Sequence, residues 1–256
     1  MKHKFLIPKS WNHLWLILSF LFLSQNCNSE VIEKLHVTIS YLSLPTATAE
    51  IKLEKRDSLQ IISATAASKG IVTAIYKVDN KYISTCDLNF IPINYEKEIL
   101  QKNFQEKKIV QYNHDKSIAK TIDFINNTKI SYPVESPTYD IFSLLFAVRD
   151  MLPFEYNSFY CLANYDVWNV DIKVIGNEVL EFKSGKFECI KYLAKFKKVL
   201  DNNIISRTDM LTNNLFNEKN NLIFWYSNDE NHIPIKAKYV MFPFSLYWNL
   251  DEYWHK

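Results

Sequence analysis

One segment constrains the fold more than any other. Asp140 to Leu152 reads as an apolar helix in a chain whose other segments read as strands. Asp140 is suited to the N-cap, because its carboxylate can accept from the free N–H groups of the first turn. Ser143 falls at the third helical position. Ile141, Leu144, Leu145, Val148, Met151 and Leu152 recur at three-and-four spacing and make one apolar face. Phe142 and Phe146 widen that face until little polar surface remains, and a helix this apolar is covered on most sides. Pro153 stops it.

The segments around it alternate. Leu35, Val37, Ile39 and Tyr41 interleave with His36, Thr38 and Ser40, and residues 47–53 and 59–67 repeat the pattern across turns at Pro45 and Asp57-Ser58. Residues 68–78 fit one helical turn or a bent strand. Strands follow at 80–86, 90–98, 103–112 and 116–124, then after the helix at 156–162, 167–174, 178–182, 186–197, 222–227 and 233–242, with Ser184-Gly185 as a tight turn. Loops at 201–203 and 213–221 surround 204–211, and the tail from Pro243 to Lys256 is aromatic. Turns every eight to twelve residues favour an all-β sheet. The expected fold is mainly β, a single curved antiparallel sheet (an open half-barrel) of roughly ten to thirteen strands wrapping one central α-helix. The alternative is a β-sandwich or a closed lipocalin-like barrel with the helix outside.

The N-terminus reads as an address. Lys2, His3, Lys4 and Lys9 precede an apolar run, Leu14 to Leu23, of signal-peptide length. Leu23-Ser-Gln-Asn-Cys27 resembles a bacterial lipoprotein signal, although Leu23 stands four residues before the Cys and Asn26 is not small. Residues 1–26 are thus expected to be a signal peptide, with Cys27 the lipidated N-terminus of a single domain, 27–256. A plainly cleaved signal and a retained helical anchor are the other readings.

Several chemistries are missing. With only three glycines (Gly70, Gly176 and Gly185) a phosphate loop or dinucleotide fingerprint cannot be built. Cys86, Cys161 and Cys189 are no disulfide framework and fit no zinc spacing. A formal net charge of +2 argues against nucleic acid. The basic clusters at 52–56, 107–108 and 195–198 read as solvated strand faces. Arg149, near the end of the apolar helix, is costly to bury unpaired. It reads either as an anion-holding group at a cavity mouth or as a bridge to Asp79, Asp87, Asp229 or sheet carbonyls. Trp225 reads as core.

Five segments in order are similar to the bacterial envelope family catalogued as domain of unknown function 3108. They are Tyr41-Leu-Ser-Leu-Pro45, Tyr76-Lys-Val-Asp79 leading to Tyr82-Ile-Ser84, Asp140-Ile-Phe-Ser143 ending in Arg149, Gly185-Lys-Phe187, and Trp225-Tyr-Ser227-Asn-Asp229 leading to Ile233-Pro234. The resemblance implies an exported, β-rich domain and brings no catalytic residues.

The expected function is that of a non-catalytic envelope lipoprotein, periplasmic or at the outer membrane, without cofactor. It is held to the membrane by its lipid and binds a lipid or other apolar ligand between sheet and helix, beside Phe142 and Phe146 with Arg149 at the end. The alternative is a structural or assembly protein acting through its surface on a protein partner that the sequence does not identify. An enzyme ranks last.

Overall fold

A computed structural model describes residues 29–182, 185–240 and 245–256. The signal segment, Cys27 and Ser184 lie outside the described residues.

The chain is mainly β, and its strands form one large, open, curved sheet. Eight antiparallel strands come first: β1 (Glu30–Tyr41), β2 (Leu44–Arg56), β3 (Leu59–Ser68), β4 (Val78–Cys86), β5 (Pro92–Gln101), β6 (Phe104–Asn113), β7 (Ile118–Asp123) and β8 (Thr128–Pro133). The short β9 (Thr138–Tyr139) follows, and then the helix. Six more strands complete the sheet: β10 (Tyr156–Ala163), β11 (Asp166–Phe182), β12 (Gly185–Leu200), β13 (Asn221–Ser227), β14 (Pro234–Val240) and β15 (Ser245–His255). Among the described residues three helices interrupt them, α1 (Ile71–Ile75), α2 (Ile141–Asp150) and α3 (Met210–Leu215).

The spatial order runs β8 to β1, then β15 back to β9. The chain therefore starts in the middle of the sheet, meanders to one edge, crosses to the other, and meanders back. The seam is β1 on β15, with Leu35 opposite Tyr253 and Ile39 opposite Trp248. Among the described residues only β9 on β10 is parallel.

Fifteen strands exceed the ten to thirteen expected from sequence. The aromatic tail is itself β15, paired to a strand more than 200 positions away, which no local pattern reveals. β8 and β9 are too short to show a pattern. The segments at 167–174 and 178–182 are one strand, β11, with a bulge between Val174 and Gly176. Gly176 sits there at φ 140°, a backbone angle that side chains resist. Residues 68–78 resolve as the single turn α1.

The meander sorts every connection onto one of two rims. β1 enters at Glu30, opposite Lys55, and leaves at Tyr41, opposite Leu44. The entry rim carries the turns at 57–58, 87–91, 114–117 and 228–233. The far rim carries those at 42–43, 102–103 and 124–127, together with α1 and the long connection from β12 to β13, residues 201–220.

Helix α2 lies against several strands. Phe142 packs on Tyr82 of β4, Phe146 on Phe90, and the Leu145 carbonyl accepts from Tyr226 Oη of β13 at 3.0 Å. Phe142, Ser143, Leu144, Phe146, Ala147 and Val148 are buried. Burying an aliphatic or aromatic side chain of this size is worth about 1.5–3 kcal/mol each.

Candidate functional site

The residue before α2 is a fully buried carboxylate, Asp140. Asp140 Oδ1 accepts from the backbone N–H groups of Phe142 and Ser143 at 2.9 and 3.0 Å, and Ser143 Oγ accepts from the Asp140 N–H at 2.9 Å. This is a reciprocal capping box. Ser84 Oγ of β4 donates to the other carboxylate oxygen at 2.5 Å, fixing the helix start to the sheet. Burial nevertheless pushes the Asp140 carboxyl above the usual carboxylate range, because its donors are all neutral.

The other end of α2 is closed by a bidentate ion pair. Arg149 Nη2 donates to Glu33 Oε2 of β1 at 2.7 Å, and Nη1 donates to Glu33 Oε1. The guanidinium also lies over the Phe146 ring, 4.7 Å from its centroid. The partner is none of Asp79, Asp87 and Asp229. Glu33 stands at the entry end of the first strand, and only the β1–β15 seam brings that strand over the helix. Asp140, Ser143 and Arg149 are thus structural ties of α2. Phe142 and Phe146 face aromatic rings, and neither lines the cavity bordered by Thr212 and Phe216. Trp225 is buried, and its Nε1 donates to Glu178 Oε2 at 3.0 Å. Cys27 lies outside the described residues.

A second polar cluster has no signature in the sequence. Lys97 of β5, Glu106 and Lys108 of β6, and Asp123 of β7 all point inward and are buried. Lys97 Nζ is 2.9 Å from Glu106, and Lys108 Nζ is 2.7 Å from Glu106 and 3.7 Å from Asp123. The connection 201–220 crosses over them from the far rim. Its Asp209 pairs with Lys97 at 3.2 Å, Ser206 Oγ accepts from Lys108 at 3.2 Å, and the Met210 N–H donates to Gln101 at 3.0 Å. Asp209 also caps α3, accepting from the Thr212 N–H at 3.0 Å. Residues 201–220 are therefore a strap held over the mouth of the sheet.

The cluster sets two ammonium groups, Lys97 and Lys108, against three carboxylates, Glu106, Asp123 and Asp209. Burial works against the Asp209 charge, but Lys97 and the Thr212 donors outweigh it and hold the carboxyl below the usual range. Burial likewise opposes the Lys108 charge, and Glu106 overcomes it to keep the ammonium above the usual lysine range. The solvated-face reading of Lys107–Lys108 holds for only one of the two. Lys107 is exposed, whereas Lys108 is buried, because alternate residues of β6 face opposite ways and both faces carry charge.

Beneath the strap lies a cavity of about 30 Å³, lined by Lys97, Glu106, Tyr112, Tyr132 and Asn164 among others. Tyr112 Oη and Asn164 Oδ1 are buried without a hydrogen-bond partner among the described residues. That volume suits a water molecule. Ligand pockets are ten or more times larger, about 300–1,000 Å³.

The three described thiols are buried and free. Burial pushes all of them up, Cys189 to about 11, so none is thiolate near neutral pH. No group of three or more His, Cys, Asp or Glu side chains with metal-holding geometry occurs among the described residues.

Comparison with known proteins gives a family and a fold. The family described as "Protein of unknown function (DUF3108)" matches residues 36–243. A search of curated proteins finds no match. Among solved structures, a β-barrel-like protein of domain of unknown function DUF1849 from Brucella abortus is similar at a TM-score of 0.56 and 6% identity, covering 88% of this chain and 98% of that one. At that identity the likeness is one of fold. A protein with a YmcC-like fold from Bacteroides fragilis gives a TM-score of 0.36 at 8% identity, covering 87% of this chain and 95% of that one, too low to carry an argument.

Proposed function

This chain belongs to the DUF3108 family, whose function is unknown, and on that premise we infer that it is an exported protein of the bacterial envelope that acts through its surface and without catalysis. In this reading residues 1–26 are a signal, Cys27 carries the lipid that holds the protein to a membrane, and the curved sheet wraps α2 as its core. The observation that carries the surface reading is the filled interior. The space beside Phe142 and Phe146 holds the rings of Tyr82 and Phe90, and the cavity under the strap is about 30 Å³. A lipid or other apolar ligand between sheet and helix has no comparable support.

Two measurements test the reading. Metabolic labelling with radioactive palmitate should mark the wild type, and Cys27→Ser should lose both the label and partition into the detergent phase. An unlabelled, fully aqueous wild type sinks the anchor. Native mass spectrometry of the protein extracted in mild detergent should show no stoichiometric apolar guest. A one-to-one lipid adduct that survives activation would restore the ligand reading in place of this one.

A further inference from the structure

The two rims differ in what they expose. On the far rim, large apolar side chains stand at the tips of separate connections. They are Leu42 and Leu44 at the β1–β2 turn, Ile71 and Ile75 on α1, Phe124 and Ile125 at the β7–β8 turn, and Ile205 on the strap. Ile71 is 78% exposed and Ile205 is fully exposed. Neighbouring α1 and the β2 start are tied by the Lys69 N–H donating to the Thr46 carbonyl at 2.9 Å, and the Lys102 N–H donates to the Lys77 carbonyl at 2.8 Å.

The same rim is positive. Lys69, Lys77, Lys102 and Lys129 are exposed around the apolar tips. Most carboxylates there are already engaged: Asp123 by Lys108, Asp209 by Lys97, and Asp166 and Asp201 by Lys198. Asp79 and Glu218 are the exposed exceptions, Glu218 accepting from the Lys198 backbone N–H at 3.0 Å. The entry rim is mixed: Asp115, Glu135, Glu155, Asp229 and Glu230 are exposed there beside Lys55, Arg56, Lys116, Lys186 and Lys256, and its aliphatic side chains Leu88, Ile93, Ile118 and Met151 are each less exposed than Ile71, Ile75 and Ile205.

We propose that the far rim, with Ile71, Ile75, Phe124, Ile125 and Ile205 projecting between Lys69, Lys77, Lys102 and Lys129, is a docking surface for an anionic lipid bilayer. Separate aliphatic tips enter the headgroup boundary one by one, and the lysines meet the surface potential of acidic lipids. A protein partner fits less well, because protein interfaces are depleted in lysine and favour aromatic residues and arginine at their centre.

The position of the N-terminus gives the docking a direction. β1 has 12 residues and crosses the sheet from rim to rim, which at strand spacing is about 40 Å. Cys27 precedes Glu30 by three positions, a reach of about 10 Å. A bilayer that held Cys27 would face the entry rim. The bilayer on the far rim is then a second lipid surface. The proposal rests on the surface-acting reading of the protein but not on the anchor.

The test uses the full chain with one added cysteine carrying an environment-sensitive NBD label, either Thr73→Cys on α1 or Asn89→Cys on the entry rim. Both positions are exposed. The buried native thiols do not react, and a second label found by mass spectrometry would reveal an unlipidated Cys27, which separates failure of the anchor from failure of the rim. Vesicles of phosphatidylglycerol and phosphatidylethanolamine should blue-shift the label at position 73, and phosphatidylcholine vesicles should not. Ile71→Asp with Ile75→Asp, or Lys69→Glu with Lys77→Glu and Lys102→Glu, should weaken that response at least tenfold while the circular dichroism spectrum is kept. A label at 73 that stays in water on anionic vesicles overturns the proposal, whatever the label at 89 does. Shielding of position 73 by an envelope extract but not by vesicles also overturns it and assigns the rim to a protein.

Discussion

Two buried aspartates cap two helices in this molecule and titrate in opposite directions. Asp140 caps α2 and Asp209 caps α3; both are fully buried, and each accepts a backbone N–H at 3.0 Å. Their remaining partners differ. Asp140 receives Ser84 Oγ, a neutral donor, and burial leaves its carboxyl above the usual range. Asp209 receives Lys97 Nζ as well as the Thr212 and Tyr82 hydroxyls, and the ammonium together with the Thr212 donors overcomes burial and brings the carboxyl below it. Neutral donors alone therefore do not compensate the buried Asp140 charge, whereas a cation 3.2 Å away, added to the Thr212 donors, compensates that of Asp209.

The largest effect should follow from removing that cation. Lys97→Met keeps the length of the side chain but leaves Asp209 and Glu106 short of a charge in the interior. Breaking a buried pair from one side typically costs about 3–5 kcal/mol. Urea unfolding should show a lower midpoint at unchanged slope. A loss below about 1 kcal/mol would mean that the strap lifts and lets Asp209 reach water, and the contrast between the two caps would then be one of exposure rather than of charge.

Next in size are the two isosteric changes. Asn still caps a helix, so Asp209→Asn and Asp140→Asn isolate the carboxylate charge. Asp209→Asn removes a charge that Lys97 stabilises and should cost about 2 kcal/mol at neutral pH, near the range for a hydrogen bond to a charged group. Asp140→Asn removes a charge that burial disfavours and should cost less than about 1 kcal/mol, the Asn amide giving up only the Ser84 donation. Equal losses in the two variants would erase the distinction.

The same pair predicts two pH dependences of opposite sign. Asp209 binds its proton less readily folded than unfolded, so its stabilising contribution is present above the unfolded value of about 3.9 and is lost as the pH falls through its lowered folded value. Asp140 binds its proton more readily folded. Its contribution is complete below about 3.9 and declines as the pH rises through its raised folded value. Urea midpoints from pH 2.5 to 7 should therefore show Asp209→Asn flattening the acid limb and Asp140→Asn flattening the decline above it. If Asp140→Asn flattens the acid limb instead, Ser84 stabilises the carboxylate more than burial disfavours it.

The contrast between the caps also shows what the sequence makes legible. Asp140, Ser143 and the three-and-four spacing behind them lie within one window, so α2, its cap and its stop at Pro153 are legible from local spacing alone. Asp209 precedes only six helical residues, Met210–Leu215, and nothing nearby signals that its partner is Lys97 on β5. Charge on both faces of β6 erases the alternation that would have marked Lys108 as buried. Arg149 is recognisable as a cation needing a partner, yet the partner is Glu33, whose strand meets the helix only because β1 and β15 close the seam. What depends on local spacing is visible in this chain, and what depends on sheet order is not.

The smallest predicted effect bears on the cap itself. Ser143→Ala removes one arm of the box, the Oγ that accepts from the Asp140 N–H at 2.9 Å, and leaves Asp140 accepting from the helix as before. An arm of this kind is worth about 1 kcal/mol. The orphaned N–H is fully buried with its residue, so the loss should sit at the upper end, about 1–2 kcal/mol. The corresponding position after Asp209 is Thr212, whose Oγ1 donates to the Asp209 carboxylate at 2.8 Å rather than accepting from the cap backbone. Thr212→Ala should therefore shift the acid limb as well as the stability, and Ser143→Ala should lower the stability while raising the Asp140 carboxyl further. Thermal melts at pH 3 and pH 7 test both, and a loss in Ser143→Ala that is equal at the two pH values would show that its hydroxyl acts on the Asp140 backbone alone.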